Sequence, residues 1–125
     1  MADLKAEVEA NNSKFMTAFN AKNFEDLGNL YTEDCVLMPP GGATVTGREA
    51  TAAVFKAASD AGVATVTLEV DDVIGQGNDV VSERSRFTMK TAEGAIADEG
   101  KFIVVWKRIN GQLYLHWDCF NSNKK

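Results

Sequence analysis

The chain has 125 residues, a net charge of −5 and a quarter of its residues charged. This composition fits one soluble globular domain over residues 1–125, able to bury roughly two-thirds of its unfolded surface without a metal or disulfide staple. The acidic balance argues against a phosphate-reading face for nucleic acid and against docking on anionic membranes.

The first predicted element is a helix from about Asp3 to Ala21, because Leu4, Val8, Phe15, Met16 and Phe19 fall on one helical face. This polar start reads as neither a signal sequence nor a membrane anchor. Asn23 is placed to cap a second, short helix, with Asp26 at its third position and Phe24, Leu27, Leu30 and Tyr31 on its apolar side. Cys35 to Met38 reads as a short strand, and Pro39-Pro40-Gly41-Gly42 forces a turn. Thr46 and Glu49 have the spacing of a capping box, so a third helix opens at Gly47 or Arg48. Its apolar positions are Ala50, Val54, Phe55 and Ala58, and Gly62 ends it.

The remainder reads as strand. Apolar and polar residues alternate from Val63 to Ile74 and again from Val80 to Lys90. "KFIVVWKR" is apolar through its centre, as expected of a strand covered on both faces. Asn110-Gly111 marks a tight hairpin, and Leu113 to Asn121 is the last strand. Asp98 and Glu99 follow a predicted turn and read as solvated. The order implies an α+β fold, with helices segregated to one face of an antiparallel sheet.

Cys35 and Cys119 form no CxxC pair and read as free thiols in a reducing, cytoplasmic compartment. A single histidine argues against the common multi-histidine metal sites, and the glycines form no phosphate or dinucleotide loop. No metal and no cofactor is therefore expected.

The chain resembles the nuclear-transport-factor-2-like superfamily, and within it the SnoaL-like, polyketide-cyclase-like small domains. The resemblance rests on "FMTAFNAKNFEDLGNLYTEDCVLMPPGGATVTGREA" and "DEGKFIVVWKRINGQLYLHWDCFNS", which together cover most of the chain. It implies a cone-shaped half-barrel, in which three N-terminal helices pack on a strongly bent antiparallel sheet around an apolar pocket. It also implies a homodimer through the outer sheet face. Ketosteroid isomerases, dehydratases, epoxide hydrolases and polyketide cyclases belong to the superfamily, as do non-catalytic transport and assembly domains. At the positions matching the isomerases' catalytic groups this chain has Phe15, Met38 and Gly100. Where the cyclases carry an acid on the closing strand, it has Asn121.

The chemical candidates that remain are Asp118, His116 and Glu83. On an uninterrupted strand His116, Asp118 and Phe120 share a face. If that face lines a pocket, burial raises the aspartate's pKa and lowers the histidine's. Glu83 shares a face with Val81, Ser85, Phe87 and Met89, opposite to Arg84 and Arg86. Tyr31, Met38, Phe55, Phe87, Trp106 and Phe120 are the expected pocket wall. Two readings follow. One is a domain that binds a small hydrophobic ligand or serves as a homodimeric assembly module. The alternative is an acid/base enzyme of isomerase, dehydratase or cyclase type on a small apolar carbonyl or cyclic substrate, using Asp118 or Glu83 with His116 or Tyr31.

Overall fold

Asp3 starts the first helix by accepting a hydrogen bond from the Ala6 amide at 3.2 Å, which satisfies one of the amides left free at a helix start. The helix, α1 (Leu4–Asn20), buries Val8, Phe15 and Phe19. Asn23 caps α2 (Phe24–Gly28) through the Asp26 amide. The third helix is α3 (Arg48–Asp60). The strands are β1 (Tyr31–Met38), β2 (Val45–Thr46), β3 (Thr65–Gln76), β4 (Val80–Lys90), β5 (Ile96–Ile109) and β6 (Gln112–Ser122). These elements come from a computed structural model, which describes residues 3–124.

The strands form one curved, unclosed sheet in the order β2-β1-β6-β5-β4-β3, with the helices on one face. The long hairpins β3–β4, β4–β5 and β5–β6 are antiparallel, but β1 runs parallel to β6. The four long strands thus make the expected antiparallel sheet, and β1 adds one parallel pairing at its side. The return from α2 to β1 brings the chain to the far edge of β6, in β6's own direction, so pairing there is parallel.

Three expectations change. Tyr31 opens β1 instead of closing α2, which ends three residues earlier. Thr46 and Glu49 make no capping box: the N-cap is Gly47, at φ 89, with no side-chain cap. β5 begins at Ile96, takes in Asp98 and Glu99, and is covered on one face only. Lys101, Ile103 and Lys107 on its other face are exposed, while Phe102, Val104 and Trp106 are buried. The apolar run is a strand whose outer side is uncovered in the single chain.

The free edge at β3 is closed by α1. Asn20 Oδ1 accepts from the Val66 amide at 3.0 Å, and the Met16 sulfur accepts from the Leu68 amide at 3.4 Å. Side chains of a helix here take the place of a neighbouring strand at an edge that would otherwise invite pairing.

Candidate functional site

Register across the sheet places Leu37, Asp118, Val104 and Glu83 in one row, each opposite the next on β1, β6, β5 and β4. All four are buried on the helix-facing side. A cavity of about 40 Å³ lies beside this row, lined by Asn12, Phe15, Phe55, Phe87, Asp118 and Phe120 among others. One water needs roughly 10–15 Å³ by this measure, so the space exceeds a single water several-fold. Phe55 stacks on Phe120 at 6.0 Å, and Phe15 and Phe87 meet these rings edge-on at 5.2 and 5.7 Å. The aromatic edges fix the wall's shape.

Asp118 is the charged group in this wall, and it is only 6% exposed. Its Oδ2 accepts a 2.6 Å hydrogen bond from the hydroxyl of Tyr31, which is itself fully buried. Burial pushes the Asp118 carboxyl up to about 7; the Tyr31 hydrogen bond pulls against that, and the nearby Glu83 charge adds to it. Tyr31 is pushed well above its ordinary value, first by burial and then by the Asp118 charge. Asp118 therefore exchanges a proton near neutrality, while Tyr31 stays protonated and holds it in place.

Glu83 is 1% exposed and does not reach the cavity. Its Oε1 accepts from the Trp106 indole at 2.9 Å, and its Oε2 accepts from Asn12 Nδ2 at 2.7 Å and Ser85 Oγ at 2.6 Å. Burial raises its pKa, and the three donors oppose the rise. Trp106 is therefore not a wall residue: it is buried, with its N–H spent on Glu83. Tyr31 reaches the cavity only through Asp118. Met38 does not line it either, being 36% exposed at the end of β1. Phe55, Phe87 and Phe120 do line it.

His116 and Asp118 do not share a face. Trp106 pairs with Leu115 and Val105 pairs with Trp117, which leaves His116 as the extra residue of a β-bulge. The bulge breaks the two-residue alternation, so Leu115 and Asp118, three apart, both point inward. The His116 ring stacks on Trp117, with Nδ1 2.8 Å from Thr32 Oγ1 and 3.7 Å from Asp34 Oδ1. Its pKa is lowered by burial and then by Lys107, against an opposing pull from Asp34. The pKa directions match the expectation for a buried pair, but the two groups belong to different surroundings.

The positions matched to the isomerases' and cyclases' catalytic groups bring no acid into the cavity. Phe15 lines the cavity without a hydroxyl, and Asn121 is exposed. At Gly100 a Cβ would collide with the Asn121 carbonyl, so no carboxylate can stand there while β6 keeps its place. Among the described residues no group of three or more His, Cys, Asp or Glu is placed to hold a metal ion, and no helix is long and apolar enough to cross a membrane.

Asn12 lines the cavity as well, at a position that no motif or alternation singles out. It falls four residues after Val8 and three before Phe15, inside the apolar stripe of α1. A polar residue at such a position is the signal for a buried, committed amide.

Helices packed on one face of a curved, unclosed six-stranded sheet define a class of small α+β domains. The chain belongs to the SnoaL-like domain family, whose model matches residues 13–116. No curated protein matches it. Among solved structures it is similar to a ketosteroid isomerase-like protein from Erwinia carotovora atroseptica SCRI1043, at 22% identity over 100% of both chains and a TM-score of 0.81. It is also similar to a Nostoc punctiforme protein of unknown function with a cystatin-like fold (21% identity, 100% and 96% covered, TM-score 0.82). A nuclear-transport-factor-2-like protein of unknown function from Shewanella oneidensis MR-1 matches at 15% identity, with 93% and 97% covered and a TM-score of 0.78. At these identities the likeness shows the fold.

Proposed function

We propose that this domain binds a small, largely apolar molecule in the cavity, with Asp118 as its polar contact. One observation carries the reading: in an otherwise apolar wall, Asp118 has one oxygen held by Tyr31 and the other, Oδ1, bonded to no described residue. Oδ1 is open to the cavity, so a ligand that donates to or accepts from it gains the net worth of one hydrogen bond, about 0.5–1.5 kcal/mol. The test is an amide NMR titration of the full chain with cyclopentanol and cyclopentanone. Saturable shifts around Asp118, Phe55 and Phe120, abolished when Leu115→Phe fills the cavity, support it. Shifts that survive in that variant, once it is shown to be folded, count against it.

A second reading is favoured by the Asp118 pKa near neutrality: the same carboxyl moves a proton to or from the bound molecule. Deuterium exchange at the α-carbons of cyclopentanone reports this without knowledge of the natural substrate. Exchange should be faster with the wild type than with Asp118→Asn.

We also propose that the outer sheet face pairs with a second copy of the chain. Trp117 is 51% exposed and Ile103 55%, and register puts Trp117 between Val36 and Val105 and Cys119 between Met38 and Ile103. These six side chains form one continuous apolar surface, the kind that marks an interface. The free Cys35 and Cys119 thiols suit the reducing cytoplasm, which is the compartment we assign.

A further inference from the structure

We infer that Asn12 is the second polar contact for the ligand, held by Glu83 as a hydrogen-bond acceptor, so that the site selects a small cyclic alcohol over the matching ketone. This rests on the cavity being a ligand site and adds what that ligand must carry.

Asn12 lines the cavity from α1, on the opposite wall from β6, and is only 2% exposed. An asparagine amide can present either its oxygen or its NH2 group, and which one is settled by its neighbours. Here the neighbour is Glu83 Oε2, 2.7 Å from Asn12 Nδ2. The Trp106 indole can only donate, so Oε1 is an acceptor, and Ser85 donates to Oε2 at 2.6 Å. Burial raises the Glu83 pKa, and these three donors act against the rise by favouring the ionised form. Facing a carboxylate, Asn12 must turn its NH2 toward Glu83. Its Oδ1 is then the free end, and no hydrogen bond from a described residue reaches it.

The cavity thus offers two polar atoms of different character. Asp118 changes between donor and acceptor near neutral pH, whereas Asn12 is fixed as an acceptor. A ligand hydroxyl completes Asn12, and a carbonyl oxygen placed there meets lone pair with lone pair. Amines could also donate, but most carry a full charge that an aromatic cavity disfavours. Glu83 touches no ligand in this scheme and is a positioning residue.

The experiment compares cyclopentanol and cyclopentanone, rings of nearly equal size, by amide NMR titration of the full chain at pH 5.5. At that pH Asp118 is protonated and can donate to either probe. The wild type should bind the alcohol roughly three- to tenfold more tightly, the span of one net hydrogen bond. Asn12→Leu should bring the ratio to about one. Glu83→Gln keeps the shape but turns an NH2 toward Asn12, so the Asn12 amide reverses and the ketone becomes the tighter ligand. A purely structural role for Glu83 would not invert that order. Each variant is first shown to be folded by its dispersed spectrum, and Glu83→Gln carries the test alone if Asn12→Leu does not fold. A folded variant that keeps the wild-type ratio overturns the assignment. A wild type that binds neither probe overturns the pocket reading on which it stands.

Discussion

The Tyr31 hydroxyl donates to Asp118 Oδ2 at 2.6 Å, and both side chains are removed from solvent. The bond ties the first residue of β1 to the inner face of β6, where the strands run parallel. It also pulls the carboxyl's pKa down against the rise that burial imposes. Because the bond favours the ionised form, Tyr31→Phe should raise the Asp118 midpoint above about 7. A ¹³C NMR titration of the labelled carboxyl reads this directly. A midpoint that stays put or falls would mean the hydroxyl does not govern the acid. The variant should also lose about 1–3 kcal/mol above neutral pH, where an ionised Asp118 loses a donor.

Asp118 makes stability depend on pH in an unusual direction. Its folded pKa, about 7, lies above the value of about 3.9 for an unfolded aspartate. Between those limits the folded state holds a proton that the unfolded state has released. Stability from this group is therefore full below the unfolded pKa and is lost as pH rises toward the folded one, by up to about 1.4 kcal/mol per pH unit. Urea unfolding from pH 4 to 8 should show wild type losing ground to Asp118→Asn as pH rises. Asparagine keeps an acceptor for Tyr31 and carries no charge. Parallel curves for the two proteins would contradict the raised pKa.

His116 should behave as part of the shell and not of the cavity. His116→Ala should cost about 1 kcal/mol through the lost Thr32 bond and leave probe titrations unchanged. Its midpoint, followed by ¹H NMR of the ring, should lie below the ordinary histidine value. The sign is opposite to that of Asp118: stability from this group is lost as pH falls through the unfolded pKa toward the folded one. A His116→Ala variant that abolishes probe binding would place the ring in the site after all.

The outer face gives a prediction about assembly. Light scattering at micromolar concentration should show twice the chain mass for the wild type. Trp117→Glu or Ile103→Lys should give the single-chain mass, because each puts a charge into the exposed apolar surface. A wild type that is monomeric throughout removes the dimer.

The sequence reveals much of the fold because alternation is a local property. β4 runs over the predicted residues, and α1 and β6 lie within a residue of prediction. The fold's non-local features are hidden. Tyr31 sits in an apolar spacing that continues a helix as easily as it starts a strand, and tertiary pairing with β6 decides it. That β1 lies parallel to β6 has no signature in either segment. Within the site, Asp118, Phe55, Phe87 and Phe120 were legible as inward residues on regular elements. The separation of His116 from Asp118 was not. A bulge is a property of two paired strands, and one strand's alternation cannot show it.

That bulge makes the chemistry of this cavity depend on counting. With Leu115 deleted, β6 could run past β5 without an extra residue, and plain alternation would carry His116 inward beside Asp118. One deletion, with no residue type exchanged, would place an imidazole next to a buried acid. A cavity with a lone acid and a cavity with a histidine beside that acid are then neighbours in sequence space, one codon apart, and substitution alone does not connect them.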